Sequence, residues 1–316
     1  MSNAGDIVAE GRTPMQLALR RFRKNRRAVL SAILLLLVGV STIVIPFISP
    51  HEYDIQHYGN VQEKPDARLW EEEAFTCERC QTMDRREPAG KFWFGTDAIG
   101  RDLFVRSFSG GQISFAVGLL ATAVSLFIGI GYGAVAAFAG GKIDLLMMRI
   151  VDILYGLPYM FVVIIAMAIF ESRSFILVFL VLGAFGWLTM SRIVRGQILS
   201  LREREFVEAA KALGVKSRTI IWRHLIPNIL GPVIVYTTLT VPSIMLTEAF
   251  LSFLGLGISE PDTSWGVLIN EGANALNPIK VSWWLVTFPG ALLAITLYCL
   301  NAVGDGLRDA FDVQQQ

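Results

Sequence analysis

The sequence predicts an all-α polytopic membrane protein with six transmembrane helices. Composition points there first: 53% of the 316 residues are hydrophobic and 17% are charged. Soluble domains carry about a quarter charged residues, so a soluble chain this apolar would need an outsized core. Length comes second. A helix crossing a hydrocarbon core of about 30 Å needs roughly 20 mostly apolar residues, and six stretches supply them: 28–48, 113–138, 150–170, 175–194, 229–257 and 283–303. Third, the basic residues are segregated by loop, as membrane topology requires.

The chain begins with a basic amino-terminal arm, 1–27, in which Arg20, Arg21, Arg23, Lys24, Arg26 and Arg27 precede the first apolar run. Basic residues mark the cytoplasmic side, so the arm is placed inside and 28–48 leads outward. That run is longer than a signal-peptide core. It ends Pro46-Phe47-Ile48-Ser49-Pro50 with no small-x-small site after it, so a retained helix is expected rather than a cleaved leader. The segment 49–112 is then an extracytoplasmic insertion, packed over the outer mouth and carrying the acidic run Glu71-Glu72-Glu73. Cys77 and Cys80 form a Cys-x-x-Cys pair within it. A disulfide is the default in an oxidising compartment. A metal site is the alternative, although one pair with only His51 and His57 outside falls short of the usual four ligands.

The remaining spans, 113–304, form the main transmembrane domain. Gly129 and Gly133 make a Gly-x-x-x-Gly pair suited to close helix packing. Pro158, Pro232, Pro242 and Pro289 fall inside spans, where neighbouring helices can satisfy the backbone groups a proline frees. The loop 195–228 is rich in Arg and Lys and is placed in the cytoplasm; six crossings also bring the tail, 305–316, inside. Within the loop, Glu203, Glu205 and Glu208 alternate with Arg202, Arg204 and Lys211 in a helix-favouring stretch that stops at Gly214. Ser217 is a candidate cap for a second short helix carrying Ile220, Ile221 and Leu225 back to the bilayer. Glu248 lies within the fifth span, where a carboxylate costs about 2.5–3.5 kcal/mol. It is a candidate pore-facing acid, structural or lining a wet lumen. Cys299 reads as a small buried hydrophobe.

Catalytic signatures are missing. Gly141-Lys142 lacks the upstream glycine of a phosphate loop, and there is no His-Glu-x-x-His pair and no Gly-x-Ser-x-Gly elbow. Neither an enzyme nor a nucleic-acid partner is expected, and the chain holds no metal or cofactor of its own in this reading.

Specific stretches narrow the class. Glu208-Ala209-Ala210, three residues, Gly214, nine residues and then His224-Leu225-Ile226-Pro227 resemble the EAA loop of ABC-importer permeases, with His224 where an aliphatic residue is usual. Phe94-Gly95-Thr96-Asp97-Ala98-Ile99-Gly100-Arg101-Asp102, Leu251-Ser252-Phe253-Leu254-Gly255-Leu256-Gly257 and Gly304-Asp305-Gly306-Leu307-Arg308-Asp309 are similar to signatures of the dipeptide and oligopeptide permease C-type family. Val313 replaces that family's final Pro.

The resemblance implies a type I ABC importer transmembrane fold in the bacterial inner membrane. It implies a B-type permease subunit as partner, two ABC ATPase subunits that bind ATP and Mg, an extracytoplasmic substrate-binding protein and a peptide substrate. Glu208, Ala209, Ala210, Gly214 and Pro227 would form the ATPase-coupling loop. The same machinery importing nickel, glutathione or another small peptide-like solute is the alternative. An ion-coupled secondary carrier is the rival class, but it would want several intramembrane acids and an internal repeat, and the sequence shows one acid and no repeat.

Overall fold

The computed structural model describes residues 14–49, 51, 53–56, 61–62, 64–65, 92–169, 175–260, 262–277 and 281–311. The acidic run at 71–73, His57, Cys77 and Cys80 lie outside the described residues. Within the described residues the chain is helical: α1 (Pro14–Lys24), α2 (Arg26–Ile48), α3 (Leu103–Ala139), α4 (Gly141–Tyr155), α5 (Tyr159–Ile169), α6 (Phe175–Arg202), α7 (Glu205–Ala212), α8 (Ser217–Phe253), α9 (Trp265–Asn274) and α10 (Trp284–Phe311). Helices α2, α3, α6, α8 and α10 are long and apolar enough to cross a membrane, and α4 with α5 forms a further, broken span.

Most spans are longer than their apolar runs. Helix α3 begins at Leu103, ten residues before the expected 113, because Asp102 caps it: its Oδ1 accepts from the Phe104 amide at 2.8 Å. Helix α10 likewise runs beyond 303 to Phe311. Of the four prolines, only Pro158 marks a break. At Gly156-Leu157-Pro158 the chain bends by 78° between α4 and α5, which replaces the single span expected over 150–170. Pro232, Pro242 and Pro289 sit inside continuous helices.

Helix α3 is the spine, and small residues let its neighbours approach. A Cβ on Gly129 would lie 2.6 Å from the Met190 Cβ, and one on Gly133 would meet the Ser191 carbonyl. The Gly-x-x-x-Gly pair therefore presses α3 against α6. Facing glycines on α6 return the fit, with the Ser125 hydroxyl donating to the Gly183 carbonyl at 3.0 Å. At one end of the bundle lie the start of α2, the ends of α3, α6 and α10, and the 195–228 loop. Gly306 of α10 packs against Ala28 and Phe22 there, and Phe311 reaches Gly231 of α8. We call this the termini face. The far face carries His51, the 92–102 loop and α9. Trp265 of α9 is fully buried, donating its indole N–H to the Ser107 carbonyl of α3 at 2.8 Å and lying over Gly111.

Candidate functional site

The termini face presents the loop that the sequence singles out. Helix α7 is anchored by one residue, Val207, which is fully buried with Ile198, Ile220, Leu225 and Ile229. Arg202 holds the approach by donating to the Ala137 carbonyl at 2.9 Å, and the Lys211 ammonium lies 5.6 Å from the centroid of the Phe138 ring. With its inner side fixed, α7 turns Glu208 and Ala209 outward, while Ala210 is half-buried.

The helix ends in a Schellman motif. Val215 N–H donates to the Ala210 carbonyl at 3.1 Å and Gly214 N–H to Lys211 at 3.0 Å, with Gly214 at φ +73°. Both Ala210 and Gly214 thus serve one helix stop. The Ser217 expectation is corrected. Lys216 occupies the cap position with no side-chain cap bond, and Ser217 begins a helix that continues through a π-helical turn, Ile220–Leu225, into α8. No separate second helix forms. Pro227 and Asn228 stand exposed at the start of its straight part, and the Asn228 amide donates to the His224 carbonyl at 2.6 Å.

Sequence reasoning named the charged and small residues of this loop and the inward-facing Ile220 and Leu225, and missed its exposed apolar ones. Leu213 is 83% exposed and Trp222 57%, with Phe206 also turned outward. Their signal was present: they are apolar positions out of step with the buried stripe of Val207, Ile220 and Leu225. Exposed aromatic and aliphatic residues beside a carboxylate suit a protein partner. The base of the loop is braced by charge, since Arg195 of α6 clamps Asp144 of α4 with two bonds of 2.6 Å.

Of the two readings of Glu248, the structural one fits its surroundings better. Glu248 is fully buried among the chain's own helices rather than facing an open path. Its Oε1 accepts from the Ser252 hydroxyl at 2.8 Å and from the Ser264 hydroxyl at 2.7 Å. Ser264 also caps α9 through the Val267 amide at 3.3 Å. The carboxylate therefore ties α9 to α8, and the chain itself supplies the polar surroundings that lipid cannot. Beyond it, α8 ends in another Schellman motif. Leu256 N–H donates to Leu251 at 2.9 Å, and Gly255 N–H donates to Ser252 at 3.0 Å with φ +73° at Gly255. This is the physical content of the Leu-Ser-Phe-Leu-Gly-Leu-Gly stretch.

On the far face, Asp97 is the hub of the 94–102 stretch. Its Oδ1 accepts from the amides of Ile99 (3.0 Å) and Arg101 (2.8 Å), and its Oδ2 from Arg101 Nε and Arg106 Nη1, both at 2.6 Å. Arg106, buried on α3, also grips Glu271 of α9 at 2.6 and 3.0 Å. Burial pulls the Arg101 guanidinium pKa down, but its contacts with Asp97, Glu271 and Glu260 outweigh this and raise it above its ordinary value. Asp102 completes the knot, with its Oδ2 lying 2.6 Å from His51 Nδ1. The third signature, 304–309, is a packing surface: Gly304 and Gly306 are buried while Asp305, Arg308 and Asp309 point out. Cys299 is fully buried. Among the described residues no group of three or more His, Cys, Asp or Glu is placed to hold a metal ion.

The sequence pattern of the family described as "Binding-protein-dependent transport system inner membrane component" matches residues 125–314, which include the whole loop and both Schellman stops. The chain belongs to that family. A second pattern, the "N-terminal TM domain of oligopeptide transport permease C", matches residues 13–65 of this transport component. It is 45% identical over 307 residues to the "Oligopeptide transport system permease protein OppC" of Haemophilus influenzae, covering 97% of this chain and 91% of that one. The protein of the same name from Escherichia coli (strain K12) is 44% identical over 97% of this chain and 93% of its own. The "Dipeptide transport system permease protein DppC" of Bacillus subtilis is 40% identical over 93% and 84%. Among solved structures, the chain is similar to one titled "Inward facing conformations of the MetNI methionine ABC transporter: CY5 native crystal form". The match has a TM-score of 0.52 and 17% identity, over 66% of this chain and 97% of that chain. At that identity the likeness shows the fold, a type I importer arrangement.

Proposed function

We propose that this component is a permease subunit of an ATP-driven importer of di- and oligopeptides, forming half of a transmembrane path and coupling to ATPase subunits through the 195–228 loop. The observation that carries the peptide assignment is near-full-length identity of 40–45% to permeases named for oligopeptide and dipeptide transport. The loop supports the coupling role: Val207 anchors α7 while Glu208, Ala209, Leu213 and Trp222 stay exposed. The proposed partners are a B-type permease, two ABC ATPases that bind ATP and Mg, and an extracytoplasmic substrate-binding protein. The termini face lies in the cytoplasm and the far face outside, in keeping with the basic arm that precedes α2.

In this scheme the ATPases grip α7 and the Leu213 knob. Their closure moves the termini face of the two permeases as rigid bodies, and the path switches from inward-open to outward-open. The chain supplies no chemistry to ATP hydrolysis. A secondary carrier is disfavoured because Glu248, the acid a coupling ion would need, is sealed among Ser252 and Ser264. Purification through a tag on this chain tests the assignment. Recovery of two ATPases, a second permease and a peptide-loaded binding protein is expected, with hydrolysis stimulated by di- or tripeptide. Recovery of the chain alone as an active transporter would contradict it.

A further inference from the structure

A cavity of about 580 Å³ opens where α4 and α5 break, between the central turns of α6 and α8. Its size falls within the roughly 300–1,000 Å³ typical of ligand sites. Tyr236, Thr240, Ser243 and Thr247 line it from α8 at intervals of four, three and four residues, which places them on one face of that helix. Tyr155 and Thr189 face them, and their hydroxyls lie 3.1 Å apart. The lining holds seven hydroxyl-bearing side chains and no Asp, Glu, Lys, Arg, His or Cys. The ion pair beside it is self-neutralised: Arg192 reaches Asp152 at 2.8 Å while its guanidinium carbon lies 4.3 Å from the centroid of the Tyr155 ring. Helix α8 thus has two chemically distinct faces. Glu248 is sealed on one and the hydroxyls open on the other.

Thr240 and Thr247 donate their protons to the carbonyls of Tyr236 and Ser243, both at 2.9 Å. Their oxygens remain acceptors for an incoming N–H. The phenols of Tyr155 and Tyr236 can donate to a carbonyl. A dehydrated divalent cation would find no nitrogen, sulfur or carboxylate ligand here. An amide backbone finds both a donor and an acceptor.

We propose that this hydroxyl-lined cavity is the chain's wall of the solute path and holds an extended peptide by its uncharged backbone, indifferent to side-chain charge. The inference rests on the peptide-permease reading and adds a location and a recognition chemistry to it.

The test uses the complete transporter in proteoliposomes with tri-alanine, tri-lysine and tri-glutamate as probes. Ser243 is exposed, so Ser243→Asp and Ser243→Lys displace no packed group. Relative to the unmodified transporter, Ser243→Asp is expected to lower tri-glutamate uptake about tenfold against tri-lysine, since a fixed charge in a partly dry cavity acts strongly at short range. Ser243→Lys should reverse the preference. Equal scaling of all three peptides in both variants would overturn the assignment. Ser243→Ala/Thr247→Val adds neither charge nor bulk and should lower all three uptakes alike, by several-fold, with assembly unchanged. Unaltered uptake in that variant also overturns the proposal. If the unmodified transporter moves none of the peptides, the failure lies with the peptide-permease reading beneath it.

Discussion

The Val215 amide donates to the Ala210 carbonyl across Gly214, at 3.1 Å, and this bond turns the chain sharply away from α7. Gly214 stands at φ +73° with nothing within 4 Å of where a Cβ would sit. A side chain there would strain the backbone without a clash, at about 1–2 kcal/mol. Gly214→Val is therefore expected to leave the fold and membrane insertion intact but to reduce ATPase recovery in a pull-down. Gly214→Asn, which tolerates the left-handed region, should retain most of it. Equal recovery for both variants and the original chain would contradict the role assigned to this turn.

Leu213 gives a cleaner probe of the same surface. An 83% exposed side chain contributes little to the isolated chain, so Leu213→Ser should move its stability by less than about 0.5 kcal/mol. Association with the ATPases should weaken about tenfold or more if Leu213 is a buried anchor in the complex. Titrating ATPase onto the detergent-solubilised permease measures this. Unchanged affinity would remove Leu213 from the interface.

Much of this molecule was legible in its sequence, and the limits have physical causes. The apolar runs located the spans because lipid enforces composition over some twenty residues. Their ends were not legible, because Asp102 caps α3 and packing against α9 carries that helix beyond the apolar run. Pro158 breaks its span while Pro232, Pro242 and Pro289 do not, a difference set by neighbours that spacing cannot show. In the loop, the motif residues Glu208, Ala209, Ala210, Gly214 and Pro227 were visible from spacing. Leu213 and Trp222 were not, because apolar letters in a membrane protein read as core. Glu248 was flagged as costly in lipid, yet Ser264, which donates to its Oε1, lies 16 residues away at the cap of another helix.

The far-face knot should behave as one unit. Arg106 is buried and bridges Asp97 and Glu271, so Arg106→Met removes that bridge and leaves Arg101 as the cation shared by Asp97 and Glu271. Breaking a buried pair costs about 3–5 kcal/mol. Glu271→Gln should cost less, because that carboxylate is 32% exposed. The two effects should be non-additive in a double-mutant cycle read by thermal unfolding. Additivity would show that the pair is not coupled.

Glu248 separates a structural acid from an ion-coupling one. Glu248→Gln keeps an acceptor for Ser252 and Ser264 and should preserve assembly and ATP-driven uptake. Glu248→Ala removes that acceptor from two buried hydroxyls and opens a cavity, a loss of about 2–4 kcal/mol. Lower yield and a lower melting temperature are expected for Ala only. A Gln variant that assembles normally but fails to transport would assign Glu248 a role in the transport cycle.

The most direct measurement compares two proteoliposome preparations using radiolabelled di- and tripeptides. One contains this chain alone under an imposed proton or sodium gradient. The other contains the chain with a partner permease, both ATPases and the binding protein, with ATP supplied on the ATPase side. The account predicts no uptake in the first and ATP-dependent peptide uptake in the second, lost again when either the binding protein or an ATPase is omitted. Gradient-driven uptake by the chain alone, abolished by Glu248→Gln, would contradict it.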